Sequence, residues 1–370
     1  MASSLYNLTR FNPRLPKLNV ASSEGKIDIV TRLLAYPQLT ADTELMNRSL
    51  SKAAENGHTE VAALLLAHGA KMEAKDDYSH TPLHNAAANG HTATVALLIE
   101  KGADVNVVGN TRETPLHSAA LNGHTEVAAL LLAHGAKMEA KDNSSRTSLL
   151  VALAEDHTEV LALLIEKGAD VNTHNIYGRT PLHLAADKGY TEAAALLIEK
   201  GANVNQKNPG GKTPLHLAAD RGNTEVAALL IDRGANVNVA DNDGTTPLHN
   251  AALRGNTEVA ALLLEEGADM QSDGSGLKPL AVAVQNGRTG VAAQILIKYP
   301  EAASAANNGG TAIDLSRLVG LDAAIASAAS AAGRRRMPAM AALLAARKAR
   351  KGGKRTRQRR RSNKNRSRRR

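Results

Sequence analysis

The sequence predicts an all-α repeat solenoid followed by a basic C-terminal tail. Three observations carry that reading. The tetrapeptide Thr-Pro-Leu-His begins at Thr81, Thr114, Thr180, Thr213 and Thr246, all on one 33-residue ladder. Between these rungs glycine recurs at two fixed places, and apolar residues recur at helical spacing. The 370 residues contain six Tyr, one Phe and no Trp, too few rings for a deep central core but enough for thin layers packed through Leu and Ala. A chain of this length would otherwise suggest two or three globular domains.

Each module reads as two helices, an arm and a turn. Thr is a helix N-cap, and the Pro after it takes the first helical position, where no N–H is needed. Leu83, Ala86 and Ala87 then fall on one helical face. Gly57, Gly90, Gly123, Gly189, Gly222 and Gly255 end the first helices. A second helix follows, with Val61, Leu64 and Leu65 at i, i+3, i+4 spacing. Gly69, Gly102, Gly135, Gly168, Gly201, Gly234 and Gly267 close the second helices. After each comes a short extended arm such as Ala103-Asp104-Val105-Asn106. A turn rich in Asn, Asp and Gly completes the module, as in Asp241-Asn242-Asp243-Gly244. Degenerate rungs stand at Arg48-Ser49-Leu50-Ser51, Thr147-Ser148-Leu149-Leu150 and, shifted by one, Lys278-Pro279-Leu280-Ala281. Weaker copies begin near Pro16 and at Thr311, giving about ten modules. The 147 module departs most: it lacks Pro and His, and Asp156 replaces the inter-helix Gly. Asp enters the left-handed region at some cost, so a locally weaker layer is expected over 147–178.

These motifs resemble the ankyrin repeat. The resemblance covers roughly 16–330 and is clearest over 48–277. It implies a solenoid of antiparallel helix pairs with projecting β-hairpin fingers, and a protein-binding scaffold that uses its finger tips and concave face. Residues 56–76 and 122–142 are identical, as are Ala96–Asn106 and Ala162–Asn172. A two-repeat block has been duplicated, a mode of growth that suits a binding surface and that an active site rarely survives. Finger-tip candidates are the residues just before each capping Thr: His80, Glu113, Arg146, Arg179, Lys212 and Thr245. They change sign and size while the scaffold around them barely changes. Tyr78, Ile176 and Tyr177 join them, as bulky side chains on turns with no packing duty. An exposed Tyr beside an Arg is a favoured hot-spot composition.

Catalytic chemistry finds little support. There is no Cys, which excludes disulfides, thiolate nucleophiles, Cys-ligated zinc and iron–sulfur clusters. Of thirteen His, eleven are in repeat register, which marks them as structural. No His-Glu-x-x-His or Gly-x-Ser-x-Gly is present. Gly211-Lys212-Thr213 ends like a phosphate-binding loop, but Gln206 stands where its first Gly is needed. The chain is therefore read as non-enzymatic, with no catalytic residue, metal or cofactor.

The formal charge of +9 is the sum of two unlike parts. Residues 334–370 hold 18 Lys and Arg and no carboxylate, leaving 27 basic and 36 acidic groups, net −9, in residues 1–333. A helical turn or two is expected at Pro338–Lys351, and disorder from about Gly352. The tail's polyanion-binding candidates are Arg334, Arg335, Arg336, Lys354, Arg355, Arg357, Arg359, Arg360, Arg361, Arg368, Arg369 and Arg370. They suit salt-sensitive, sequence-indifferent binding to nucleic acid or another polyanion, or use as an import signal. An anionic membrane surface and the acidic body itself are the other partners such a tail suits. The competing function is a nucleic-acid-associated protein in which the tail is the main binding element. The tail has no aromatic residue and so no stacking platform for single strands. Met1–Lys17 has no apolar run and carries Arg10, Arg14 and Lys17, so no secretory signal is expected, and no transmembrane segment is foreseen. The organisation expected is a lead-in over 1–15, the solenoid over 16–333 and the tail over 334–370. The expected state is an intracellular monomer, cytoplasmic, or nuclear where the tail acts in import.

Overall fold

The computed structural model describes residues 17–304 and 314–335. The lead-in, the Pro338–Lys351 helical turns, the disorder beyond Gly352 and every tail candidate from Arg336 onward lie outside the described residues. Twenty α-helices and no strand are present among the described residues. The molecule divides into two compact units, Met1–Ala218 with Glu225–Asn236 and Ala219–Thr224 with Val237–Arg370.

In the first unit two rows of helices form two layers. The inner row runs Leu18–Ser23, Thr43–Glu55, Pro82–Ala88, Pro115–Leu121, Ser148–Ala154 and Pro181–Lys188, each packed on the next. The outer row runs Ile27–Leu34, Thr59–Ala67, Thr92–Glu100, Thr125–Ala133, Thr158–Glu166 and Thr191–Glu199. Leu83, Ala86, Ala87, Val95 and Leu98 of one module are almost fully buried, and their counterparts repeat every 33 residues. Each buried Leu or Val contributes about 1.5–3 kcal/mol. In the second unit Pro247–Arg254, Thr257–Glu265, Pro279–Gln285 and Thr289–Lys298 pack in the same way. They end against helix Leu321–Arg335, which carries Arg334 and Arg335 across the expected tail boundary.

The rung at 48 does not start a helix. With no Thr-Pro there to mark a beginning, the helix starts at Thr43, capped by Asp42, whose carboxylate accepts the Leu45 amide at 3.0 Å. The last module reduces its first helix to a 3₁₀ turn at Leu315–Arg317.

The expected β-hairpin fingers are present as closed turns without a β-ladder. In each, one amide bonds the carbonyl four residues on: Asp76 to His80 at 2.9 Å, Asp142 to Arg146 at 3.0 Å, Asn175 to Arg179 at 3.1 Å. Except in the turn that begins at Gly109, the side chain of the first residue also accepts amides inside the turn, as Asp76 does from Tyr78 and His80.

Candidate functional site

Most of the polar residues that define the repeat are consumed in holding one module to the next. In the Thr-Pro-Leu-His box, His84 Nδ1 accepts the Thr81 amide at 3.2 Å, so Nε2 carries the proton and donates to the Glu113 carbonyl at 3.1 Å. The same pair of bonds recurs at His117 with Thr114 and Arg146, at His183 with Thr180 and Lys212, and at His249 with Thr246 and Leu277. Burial lowers the pKa of all four imidazoles, to about 4 for His84 and His183.

A second histidine ladder joins neighbouring first-helix ends. His58, His91, His124 and His157 bond through Nε2 to the carbonyls of Ser23, Glu55, Ala88 and Leu121, at 2.9–3.0 Å. Each ring lies over the turn glycine of the preceding module. A Cβ on Gly57 would sit 2.5 Å from His91 Nδ1, so that glycine is required by contact as well as by its φ of 75°. Asp156 takes φ 62° in that turn position, and the covering residue there is Tyr190 in place of His. Partial burial, with Asp156 and Glu155 nearby, raises the Tyr190 phenol above its ordinary value.

A third ladder lies in the arms. Asn106, Asn172 and Asn205 each accept the amide of the following module's arm and donate to its closing-glycine carbonyl. Glu73 and Glu139 accept the Asp104 and Asp170 amides in the same way. The 147 module breaks the first ladder. Leu150 replaces the box His, and the buried hydroxyls of Thr147 and Ser148 have no hydrogen-bond partner.

The fingers hold what these ladders leave over. Tyr78, Ile176 and Tyr177 stand at finger apices, 71 %, 54 % and 68 % exposed. The residues before each capping Thr do not. Their carbonyls close the turns, which sets them at the base of the returning arm, half-buried, two or three residues past the apex. His80 Nε2 meets Glu113 Oε1 at 2.7 Å, and its ring stacks on His84 at 5.1 Å. Partial burial pushes the Glu113 pKa up, but hydrogen bonds from Thr111, its own amide and His80 outweigh this and hold it below the ordinary range. Arg146 pairs with the buried Asp142 at 2.7 Å, and Arg179 lies 3.5 Å from Asp187. The Lys212 and Thr245 amides bond Asn208 and Asp241 within their own turns.

Three of these turns place a non-glycine residue in the left-handed region, Ser79 at φ 59°, Arg112 at 63° and Ser145 at 56°. Beside the first, a groove of about 450 Å³ opens between helix Thr43–Glu55 and the finger, lined by Glu44, Arg48, Lys52, Asp76, Asp77 and Tyr78. The sequence gives no hint of this groove, because part of its wall, Glu44 and Asn47, belongs to the turn by which that helix starts before the rung. Arg48–Glu44 and Lys52–Glu55 neutralise its wall pairwise.

No group of three or more His, Asp or Glu side chains is arranged to hold a metal among the described residues. No helix among them is long and apolar enough to cross a membrane. No curated protein matches the chain. A family model described as ankyrin repeats in three copies matches in overlapping windows, from residues 18–109 through 141–208 to 234–308. Ankyrin repeats are generally protein–protein interaction modules, and proteins built from them are typically non-enzymatic scaffolds. With matched windows that together run from residue 18 to residue 308, the chain belongs to the ankyrin-repeat family.

Proposed function

We propose that the protein is a non-enzymatic binding scaffold whose finger edge and inner helix faces receive a partner protein, and whose polybasic tail localises it to a polyanion. The carrying observation is the division of labour among side chains. The repeated His and Asn residues bond between modules, whereas Tyr78, Ile176 and Tyr177 are exposed on turns held rigidly by those bonds. Rigid aromatic anchors on a preorganised edge bind with little ordering cost. Left-handed Ser79, Arg112 and Ser145 fit that reading, since backbone strain concentrates at functional turns.

The test is capture of partners from cell lysate with the wild-type chain and with Tyr177→Ser/Arg179→Ala. A captured partner should lose about tenfold in affinity, about 1.4 kcal/mol. Unchanged affinity removes this part of the edge from the site. A second reading, with the tail as principal element on nucleic acid, is favoured by its 18 cations and absence of carboxylates. Gel shifts over a salt series should then show a steep salt dependence that deletion of 334–370 abolishes. A shift that survives the deletion counts against the tail.

A further inference from the structure

We propose that three neighbouring fingers of the first unit, centred on Ile176 and Tyr177, recognise an acidic peptide segment carrying an apolar side chain. The proposal rests on the reading of the fingers as the binding edge and adds the partner's chemistry.

Charge within the body is segregated. Fingers 140–146, 173–179 and 206–212 contain Lys141, Arg146, Arg179, Lys207 and Lys212 against a single carboxylate, Asp142, a net +4. Asp142 is buried and bonded to Arg146. Of the other carboxylates of these modules, Asp187 reaches the edge and lies 3.5 Å from Arg179, which brings the strip to a net +3, while Glu126, Glu159 and Glu192 are exposed in the first turns of the outer helices. A cationic edge therefore belongs to a body of net −9. Ile176 and Tyr177 lie in the middle finger of the three, both exposed.

The backbone at that point is also unlike its neighbours. Successive apices are tied by one amide each, from Asn110 to the Tyr78 carbonyl at 3.1 Å, from Asn143 to Thr111 at 2.8 Å and from Ile176 to Ser144 at 3.0 Å. In the same register Pro209 stands opposite Tyr177, and proline has no N–H. The Pro209 ring takes the space beside Gly178, where a Cβ would come within 2.3 Å of Cδ. The Tyr177 carbonyl thus receives no amide from the next finger, and an incoming peptide N–H can complete it.

An acidic peptide fits better than nucleic acid. The cationic strip stops after three fingers. In the preceding finger Arg112 is balanced by Glu113, and the one before that carries Asp76 and Asp77 against Lys75. A phosphate track needs a longer run of cations, and an apolar pair at the centre offers it nothing.

The test uses the full chain at near-physiological salt, where weak long-range attraction is screened. Probes are a fluorescein-labelled short peptide with Leu-Phe flanked by Asp and Glu, its Asn/Gln counterpart and a short DNA duplex. Variants are Lys141→Glu/Lys207→Glu and Ile176→Ser/Tyr177→Ser, with folding checked by circular dichroism. Unlabelled acidic peptide without the Leu-Phe pair is present in excess to occupy the +18 tail, which is identical in all three proteins. The proposal expects each double variant to weaken the acidic peptide by about tenfold or more, and the Asn/Gln peptide to bind the wild type at least tenfold more weakly. If the neutral peptide binds as tightly and still responds to the Ile176/Tyr177 variant, the acidic chemistry is overturned while finger binding stands. If no peptide responds to either variant, both readings fall. A duplex weakened by the Lys variant while the acidic peptide is unmoved overturns the proposal in favour of nucleic acid.

Discussion

Mild acid should destabilise this protein, because the fold holds neutral several imidazoles that the unfolded chain protonates. In each Thr-Pro-Leu-His box Nδ1 accepts a backbone amide, so a proton added there faces a donor as well as a buried site. His84 and His183 are fully buried, with pKa values lowered to about 4. An unfolded histidine titrates near 6.5, so between pH 6.5 and 4 the unfolded chain binds the proton that the folded chain refuses. Stability from these groups is complete above pH 6.5 and is lost as pH falls through that window. At pH 5 the loss is about 2 kcal/mol for each of the two, about 4 kcal/mol together, set against a typical total of about 5–15 kcal/mol. His117 and His249 shift the same way and add to it. The assay is the urea midpoint by far-ultraviolet circular dichroism at pH 7.5, 6.5, 5.5 and 5.0. His183→Leu, which copies the natural Leu150, should be less stable at pH 7.5 but lose less on acidification. A midpoint unchanged between pH 7.5 and 5.0, or His84 and His183 ring signals titrating near 6.5 in the folded protein, would refute the reasoning.

Other outcomes follow from single turns. Arg112→Gly should stabilise by about 1 kcal/mol, because the left-handed backbone at φ 63° no longer strains a side chain; an unchanged thermal midpoint would contradict this. Gly90→Ala should cost about 1–3 kcal/mol more than Gly69→Ala, since both have positive φ but only the first drives a Cβ to 2.5 Å from His124 Nδ1. Adding His124→Ala should shrink that difference. Ser148→Pro removes a buried hydroxyl without a partner and restores the helix-start residue of the other modules, for a gain of about 1 kcal/mol. Hydrogen exchange should find 147–178 less protected than the modules on either side, and the highest protection in the unit there would sink the idea of a weak layer.

The helix pairs, their period and their boundaries were legible in the sequence because each is fixed locally. Thr-Pro starts a helix, Gly ends it, and Leu and Ala at helical spacing choose the buried face, whatever lies further along the chain. Asp156 could be assigned a left-handed backbone for the same reason, and it adopts φ 62°. The register of the histidines marked them as structural, but not which atoms they serve. That His84 reaches the carbonyl of residue 113, His124 that of residue 88 and Asn205 that of residue 234 depends on the stacking of whole modules. The start of helix Thr43–Glu55 escaped the ladder because a single Asp42 carboxylate, six residues before the rung at Arg48, sets it.

The candidate edge divides along the same line. Exposure of Tyr78, Ile176 and Tyr177 followed from sequence, since bulky side chains inside Asn/Asp/Gly turns have nothing to pack against. The residues before each Thr did not lie at the tips, because the carbonyl of that residue closes the turn and draws its side chain to the base. The sequence by itself determined a two-helix module, its repetition and the charge split between body and tail. Only the tertiary structure decided which polar groups are spent between modules and which remain at the edge, because those bonds join atoms about 30 residues apart that come together only when the layers stack.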